Sequence, residues 1–327
     1  MSTVLVTGGA GYIGSHACKL LAKSGHTPVV FDNLRTGWRD AVKFGPFIEG
    51  DLLDPAAVAA AFEETRPDAV MHFAALSNVG ESTQKPGLYW RNNVVGTMNL
   101  LDAMMAAGVG RFVFSSTCAT YGVAERPVLS EDHPQNPINP YGQSKLAVER
   151  MIADYVSAYD LRAVIFRYFN VAGADPEAEV GEHHEPETHL VPIVLDAAAG
   201  DRPRLMVNGD DYDTPDGSCI RDYLHVMDLA DAHVRGIDHL ISGGETLVLN
   251  LGTGAGFSVK EVIEAAEAAT GLSVPRETGP RRDGDPPKLV SGSTMAEQAL
   301  GWRAERSNMA DIIADAWRWR STGLYKA

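Results

Sequence analysis

The chain is short of cysteine, of positive charge and of long apolar runs, and each shortage closes off a class of function. Its three cysteines, Cys18, Cys118 and Cys219, lie far apart with no Cys-x-x-Cys pair. That excludes a disulfide framework and a cysteine-rich zinc site, and it fits a reducing cytoplasm. Lysine and arginine number 28 against 43 aspartates and glutamates, for a net charge of −15. Such a surface argues against nucleic acid or an anionic membrane as partner. It leaves room for small anionic ligands, which need only a few local cations. No run of about 18 apolar residues occurs, so no membrane span is expected. The opening residues pass directly into a strand pattern without a basic region and apolar core, so no signal peptide is expected. Internal repeats and low-complexity segments are also absent. The 45% hydrophobic and 22% charged shares are those of a soluble globular protein, and 327 residues suffice for one large domain or two interlocked ones.

Residues 3 to 7 read as a buried strand, with Val4, Leu5 and Val6 consecutive. Gly8, Gly11 and Gly14 follow in Gly-x-x-Gly-x-x-Gly spacing and open a helical pattern. Glycines so placed permit a tight turn and let backbone amides approach a pyrophosphate at a helix N-terminus. A second strand, 27 to 31, ends in Asp32-Asn33, with Asp32 18 residues after Gly14. An acid there accepts hydrogen bonds from the adenosine ribose and repels a 2′-phosphate, which selects NAD over NADP and outweighs the nearby Arg35.

Strand and helix signals then alternate. Strands are expected at 46–49, 68–73, 111–116 and 162–169, and helices at 56–64, 88–107 and 141–159. Alternation of this kind predicts an α/β fold, a doubly wound parallel sheet with helices on both faces. Ligands bind such sheets at the carboxyl ends of the strands. Gly8, Asp32, Asp51, Ala74, Ser116 and Asn170 all fall at such ends.

Tyr141 and Lys145 are four residues apart, one turn along a helix that Asn139-Pro140 is placed to start. An ammonium beside a phenol favours the phenolate, which makes Tyr141 a candidate general base, with Thr117 relaying or stabilising the same proton. The helix near residue 100 carries Val94, Met98, Leu101 and Met105 on one face, widened by Val95, Leu100 and Met104. The next carries Leu146, Met151, Ile152, Tyr155 and Val156. Both suit a homodimer contact as well as the core. Beyond Val171 the pattern loosens into a loop, a helix at 193–199, an acidic turn region at 209–217, a helix at 226–240, a strand at 247–251 and a capping box at Ser258 and Glu261. The expected division is an NAD-binding domain of 1–170 plus about 226–255, and a smaller interleaved mixed α/β substrate domain of about 171–225 plus 256–327.

Gly8 to Gly14, Asp32, Thr117, Tyr141 and Lys145 together resemble the extended short-chain dehydrogenase/reductase family. The stretches 6–16, Val79-Gly80-Glu81-Ser82, Arg167-Tyr168-Phe169-Asn170, Arg221-Asp222-Tyr223-Leu224-His225-Val226 and Pro280 to Asp285 narrow the resemblance to its UDP-galactose 4-epimerases. The resemblance implies reversible epimerisation of UDP-galactose and UDP-glucose at carbon 4, through a 4-ketose and transient hydride transfer to tightly held NAD. It implies catalysis by Tyr141, Thr117 and Lys145, the lysine also binding the nicotinamide ribose. It implies NAD contacts at Gly8, Gly11, Tyr12, Ile13, Gly14, Asp32, Asn33, Asp51, Leu52, Phe73, Ala74, Ala75, Asn92, Ser115, Tyr141, Lys145 and Tyr168. The UDP-sugar falls to Thr117, Tyr141, Asn170, His189, Leu190, Arg221, Tyr223, Arg282 and Asp285. Ser77 and His189 depart from the family pattern of lysine and asparagine, and Leu289 stands where the sugar's 2-substituent is gated.

A nucleotide-sugar dehydratase would carry an Asp-Glu pair after the threonine, where this chain has Cys118-Ala119. Epimerisation of UDP-xylose, UDP-glucuronate or UDP-N-acetylglucosamine shares the same chemistry and stays an alternative. A non-catalytic NAD-binding sensor would not need Thr117, Tyr141 and Lys145. Glu182, His183, His184, Glu185 and His189 are irregularly spaced and read as a surface loop, with no metal expected. Cys118 lacks an evident base partner and reads as packing.

Overall fold

The computed structural model describes every residue except 125, 127, 283–285, 323, 324, 326 and 327. Its centre is the expected doubly wound sheet. The strands are β1 (Thr3–Thr7), β2 (Thr27–Asp32), β3 (Phe47–Glu49), β4 (Ala69–His72), β5 (Arg111–Ser115), β6 (Arg162–Arg167), β7 (Asn170–Ala172), β8 (Leu205–Asn208), β9 (Ile220–Arg221), β10 (Tyr223–His225), β11 (Leu247–Asn250), β12 (Phe257–Ser258), β13 (Arg276–Gly279) and β14 (Lys288–Leu289). Seven of them form one parallel sheet in the order β11-β6-β5-β4-β1-β2-β3. The strand order reverses between β1 and β4, and the crevice at that switch point is where such sheets take ligands.

The sheet is buried on both faces because its strands are apolar at successive positions and side chains alternate between faces. Val4, Val6, Val30, Met71, Val113, Val164 and Phe166 join one core, whereas Leu5, Val29, Phe31, Val70, Phe112, Phe114 and Ile165 join another. The first core is closed by helices Tyr12–Lys23 and Val226–Ile241. The second is closed by Pro55–Thr65, Gly96–Ala106 and Pro140–Ala158. A third core lies among helices Leu190–Ala199, Val259–Thr270 and Met309–Ser321, together with Leu205, Val207 and Tyr223 from the strands.

Several elements differ from their sequence expectations. The helix expected at 88–107 begins at Pro86 and carries a π-helical stretch, Trp90–Val95, before it continues as Gly96–Ala106. The strand expected at 162–169 stops at Arg167, and Asn170 opens β7, which pairs with β10 rather than extending the large sheet. The helix expected from Ile193 begins at Leu190, because Pro192 is tolerated in a first turn that needs no amide there. Met98 and Val95 are exposed while Leu100, Leu101 and Met104 are buried, so the long helix packs one face on the sheet and leaves another bare. No helix of the described residues is long and apolar enough to cross a membrane.

The C-terminal segment is tied to the first core by Trp302. Its indole is fully buried and donates to the Asp228 carbonyl at 2.8 Å. Trp302→Ala is expected to lower stability by about 3–5 kcal/mol, read as a lower urea midpoint with an unchanged slope.

Candidate active site

The glycine loop divides its work as the motif requires. Gly8 has φ +76°, and a Cβ there would stand 2.5 Å from the Ala74 nitrogen. A Cβ on Gly14 would stand 2.2 Å from the Gly8 carbonyl oxygen, so this glycine lets helix and turn touch. Gly11 meets only the Gly8 oxygen at 3.3 Å, which keeps the face in front of the helix open. Gly11 is also the N-cap, with no capping side chain and no acid in the first turn, so the first N–H groups of Tyr12–Lys23 remain donors for a phosphate. The Tyr12 hydroxyl donates to the Gly173 carbonyl at 2.6 Å and so fastens the loop to the second half of the chain.

Asp32 ends β2, and its carboxylate accepts from the backbone N–H of Ala10 at 3.0 Å and of Leu34 at 2.9 Å. Burial raises its pKa and those two bonds oppose the rise. Each oxygen keeps a lone pair for a ribose hydroxyl. Asp51 accepts from the Asn33 amide at 3.0 Å, and the Leu52 carbonyl accepts from Asn99 at 2.8 Å. Phe73 and Ala74 both donate to the Thr7 carbonyl, at 2.9 and 3.1 Å, and with Ala75 they are half-buried at the end of β4. This donor set at four adjacent strand ends fits a dinucleotide with an unphosphorylated adenosine ribose.

The helix Pro140–Ala158 starts as expected. Asn139 caps it by accepting from the Gly142 N–H at 2.9 Å, Pro140 opens it, and Tyr141 sits in its first turn. The Thr117 hydroxyl, just after β5, accepts from the Ala119 N–H at 3.1 Å and favours the ionised form of the Tyr141 phenol. Lys145 is buried. Its ammonium donates to the Ser115 carbonyl at 2.8 Å and lies 4.8 Å from the centre of the Phe114 ring. Tyr168 is buried, with its hydroxyl on the Ser115 hydroxyl.

A model of the NAD dependent epimerase/dehydratase family matches residues 4–252. The chain belongs to that family. It is 50% identical over 319 residues to a UDP-glucose 4-epimerase of Rhizobium leguminosarum bv. trifolii, covering 98% of this chain and 97% of that protein. The crystal structure of UDP-glucose 4-epimerase from Brucella ovis in complex with NAD superposes with a TM-score of 0.96 at 52% identity, covering 97% and 98% of the two chains. That of the Stenotrophomonas maltophila enzyme, with bound NAD and formylated UDP-arabinopyranose, gives 0.95 at 41%, covering 99% of each.

In this epimerase/dehydratase fold the electrostatics of the catalytic pair differ from the sequence expectation. Lys145 was expected to hold the phenol down. Burial instead pushes Tyr141 up to about 12, and the Thr117 hydrogen bond is what opposes the rise. The ammonium points to the Ser115 carbonyl, and burial lowers Lys145 itself to about 7 against the pull of Glu149. The protein's side chains alone therefore leave the Tyr141 phenol protonated and Lys145 titrating near neutral pH.

Farther along, Asn170 and Tyr223 stand opposite each other in the β7–β10 register, half-buried and buried. Arg221 pairs with Leu289 across β9–β14, which brings the gate position beside the arginine. Arg282 is exposed and donates to the Asn208 amide oxygen at 3.2 Å through two nitrogens. Asp285 lies outside the described residues. Half-buried Asn92 donates to Asn93 at 3.0 Å. Asn93 is one residue missed from the sequence: fully buried, it bonds both backbone polar atoms of Leu76 and the Ser144 hydroxyl, joining the β4 end to the helix Pro140–Ala158. Asp222 was also missed. Its carboxylate gathers the N–H groups of Thr253, Gly254 and Ser291. Only topology reveals such roles.

The loop read as irregular surface is ordered into a cluster. His189 Nδ1 lies 2.8 Å from Glu187 and 3.1 Å from Glu182, and His184 Nδ1 lies 3.3 Å from Glu182 and 3.4 Å from Glu187. Burial would lower His184, but the two carboxylates outweigh it and push it up to about 10. His189 is raised by the same carboxylates, and the imidazoles in turn hold Glu187 well below the usual carboxylate range. His189 is the N-cap of Leu190–Ala199, half exposed at the helix start.

Gly14→Ala is expected to leave the folded circular dichroism spectrum in place but strip bound NAD, measured as dinucleotide released on acid precipitation per mole of protein. Full retention would show that the 2.2 Å contact is relieved elsewhere.

Proposed function

We propose that the chain is a UDP-glucose 4-epimerase, which interconverts UDP-galactose and UDP-glucose and retains its NAD through turnover. The observation that carries this is the placing of Tyr141 and a buried Lys145 one turn apart on a helix beside Thr117, in a chain with an NAD-type glycine loop that matches known 4-epimerases along nearly all its length. NAD, when bound, supplies the acceptor and then the donor of the hydride at carbon 4.

The chain's residues do the rest. Tyr141 takes the proton of the sugar's 4-hydroxyl and returns it, and Thr117 stabilises the phenolate through its hydroxyl. Lys145 holds the nicotinamide ribose. With the phenol at about 12 in its buried pocket, the phenolate needs cationic support, and two positive charges are at hand: the ammonium and the oxidised nicotinamide. Asn170, Arg221, Arg282, His189, Leu190 and Tyr223 hold the UDP-sugar. Guanidinium groups suit the diphosphate because they bind phosphate bidentately. The parts of the chain from 1 to 170 and about 226 to 255 bind NAD, and the remainder binds the sugar nucleotide.

The protein is a homodimer of the cytoplasm on this reading. Trp90, Val95 and Met98 expose apolar surface on the long helix, and no disulfide joins Cys18, Cys118 and Cys219.

Purified protein is expected to convert UDP-galactose to UDP-glucose with no NAD added, and Tyr141→Phe to lose at least about 100-fold in kcat with its NAD retained. Absence of turnover even with NAD supplied would overturn the hexose assignment. Sedimentation equilibrium is expected to give twice the chain mass, falling to the chain mass when Trp90 and Met98 are both changed to glutamate.

A further inference from the structure

Glu149 is a buried anion that the reaction as described does not use. It lies one turn beyond Lys145 and two beyond Tyr141 on the helix Pro140–Ala158. Both oxygens are spoken for. Oε1 accepts from the Ser116 hydroxyl at 2.5 Å and from Arg167 Nε at 3.0 Å. Oε2 accepts from Arg167 Nη2 at 2.6 Å and from the Gln135 amide at 3.0 Å. Arg167 passes the chain on to the Tyr121 hydroxyl at 3.0 Å, which donates to Asn250 at 2.6 Å. Glu149 and Arg167 are each more than nine-tenths buried. An ion pair in that setting adds little net stability over an apolar pair of the same size, but it fixes geometry, because both carboxylate oxygens and all three guanidinium nitrogens are held by named partners.

The geometry it fixes is that of the active site. Ser116 lies between Ser115, whose carbonyl takes the Lys145 ammonium, and Thr117, whose hydroxyl favours ionisation of the Tyr141 phenol. We propose that Glu149 is a positioning residue: through Ser116 and Arg167 it clamps the ends of β5 and β6 to the catalytic helix, and it serves as the counter-charge of Lys145. This inference rests on the assignment of Tyr141 as base. Around Lys145 stand Tyr141 on its own helix, His72 on β4, Phe114 and Ser115 on β5, and Tyr168 after β6. Among the described residues, Glu149 is the carboxylate that acts on it, opposing the drop to about 7 that burial causes.

The test is Glu149→Gln, whose amide oxygen still accepts from Arg167, measured beside Tyr141→Phe with UDP-galactose as substrate. Removing the anion lowers the lysine's pKa further, so the ammonium is lost at a lower pH. Expected are a kcat about 100-fold down with KM within about twofold, and an alkaline limb of the kcat–pH profile shifted to lower pH. A structural role alone would reduce the amount of folded enzyme and leave both the limb and the kcat per folded site in place, and that result overturns the proposal. If Tyr141→Phe keeps full turnover, the base assignment itself falls, whatever Glu149→Gln shows. Should Glu149→Gln not fold, Ser116→Ala carries the test, since it strands no charge: a kcat about tenfold down at unchanged KM supports the clamp, and an unchanged kcat overturns it.

Discussion

A parallel sheet buried on both faces is the constraint from which the rest follows. Its strands must be apolar at every position, and the connections between them must run back over the faces as helices. All carboxyl ends then emerge along one edge. Polar residues at those ends cannot be absorbed by the core, so Asp32, Asp51, Ser115 and Thr117 gather there. The reversal of order between β1 and β4 opens the crevice in which they meet.

Within that edge, short-range order comes from backbone groups in special conformations and long-range order from buried polar side chains. Gly8 and Gly14 let the first turn close on β4 and on itself. Asn93, Glu149, Arg167 and Asp222 each hold several partners that are distant in sequence. An unsatisfied buried polar group costs more than a good one contributes, so such residues specify one arrangement more than they strengthen it. The same holds for the acidic trio Asp175, Glu177 and Glu179, which converges on the buried ammonium of Lys19 at 2.5, 2.7 and 2.6 Å.

The loop Glu182–His189 shows how burial changes chemistry. Its spacing matches no ligand pattern, and as a solvated loop it would carry ordinary histidines. Folded against Tyr12 it becomes a cluster with cationic imidazoles. It joins the glycine loop, through Tyr12, to the N-terminus of Leu190–Ala199. The catalytic pair shows the opposite outcome. Desolvation opposes the charged forms of both Tyr141 and Lys145, and a four-residue spacing carries no information about that.

The sequence by itself determined the doubly wound sheet, the glycine loop, the acid at the end of β2 and the start of the catalytic helix. These are local matters: periodicity, backbone freedom and capping act over a few residues, and Gly8, Asp32, Asn139 and Ser258 sit where such rules put them. Only the tertiary structure decided which way the Lys145 ammonium points, that Asn93 rather than Asn92 bears the buried bonds, that β6 ends before Asn170, and that Leu289 stands beside Arg221. Each depends on which groups are brought together from distant parts of the chain and on how completely they lose water. Neither is a function of sequence spacing.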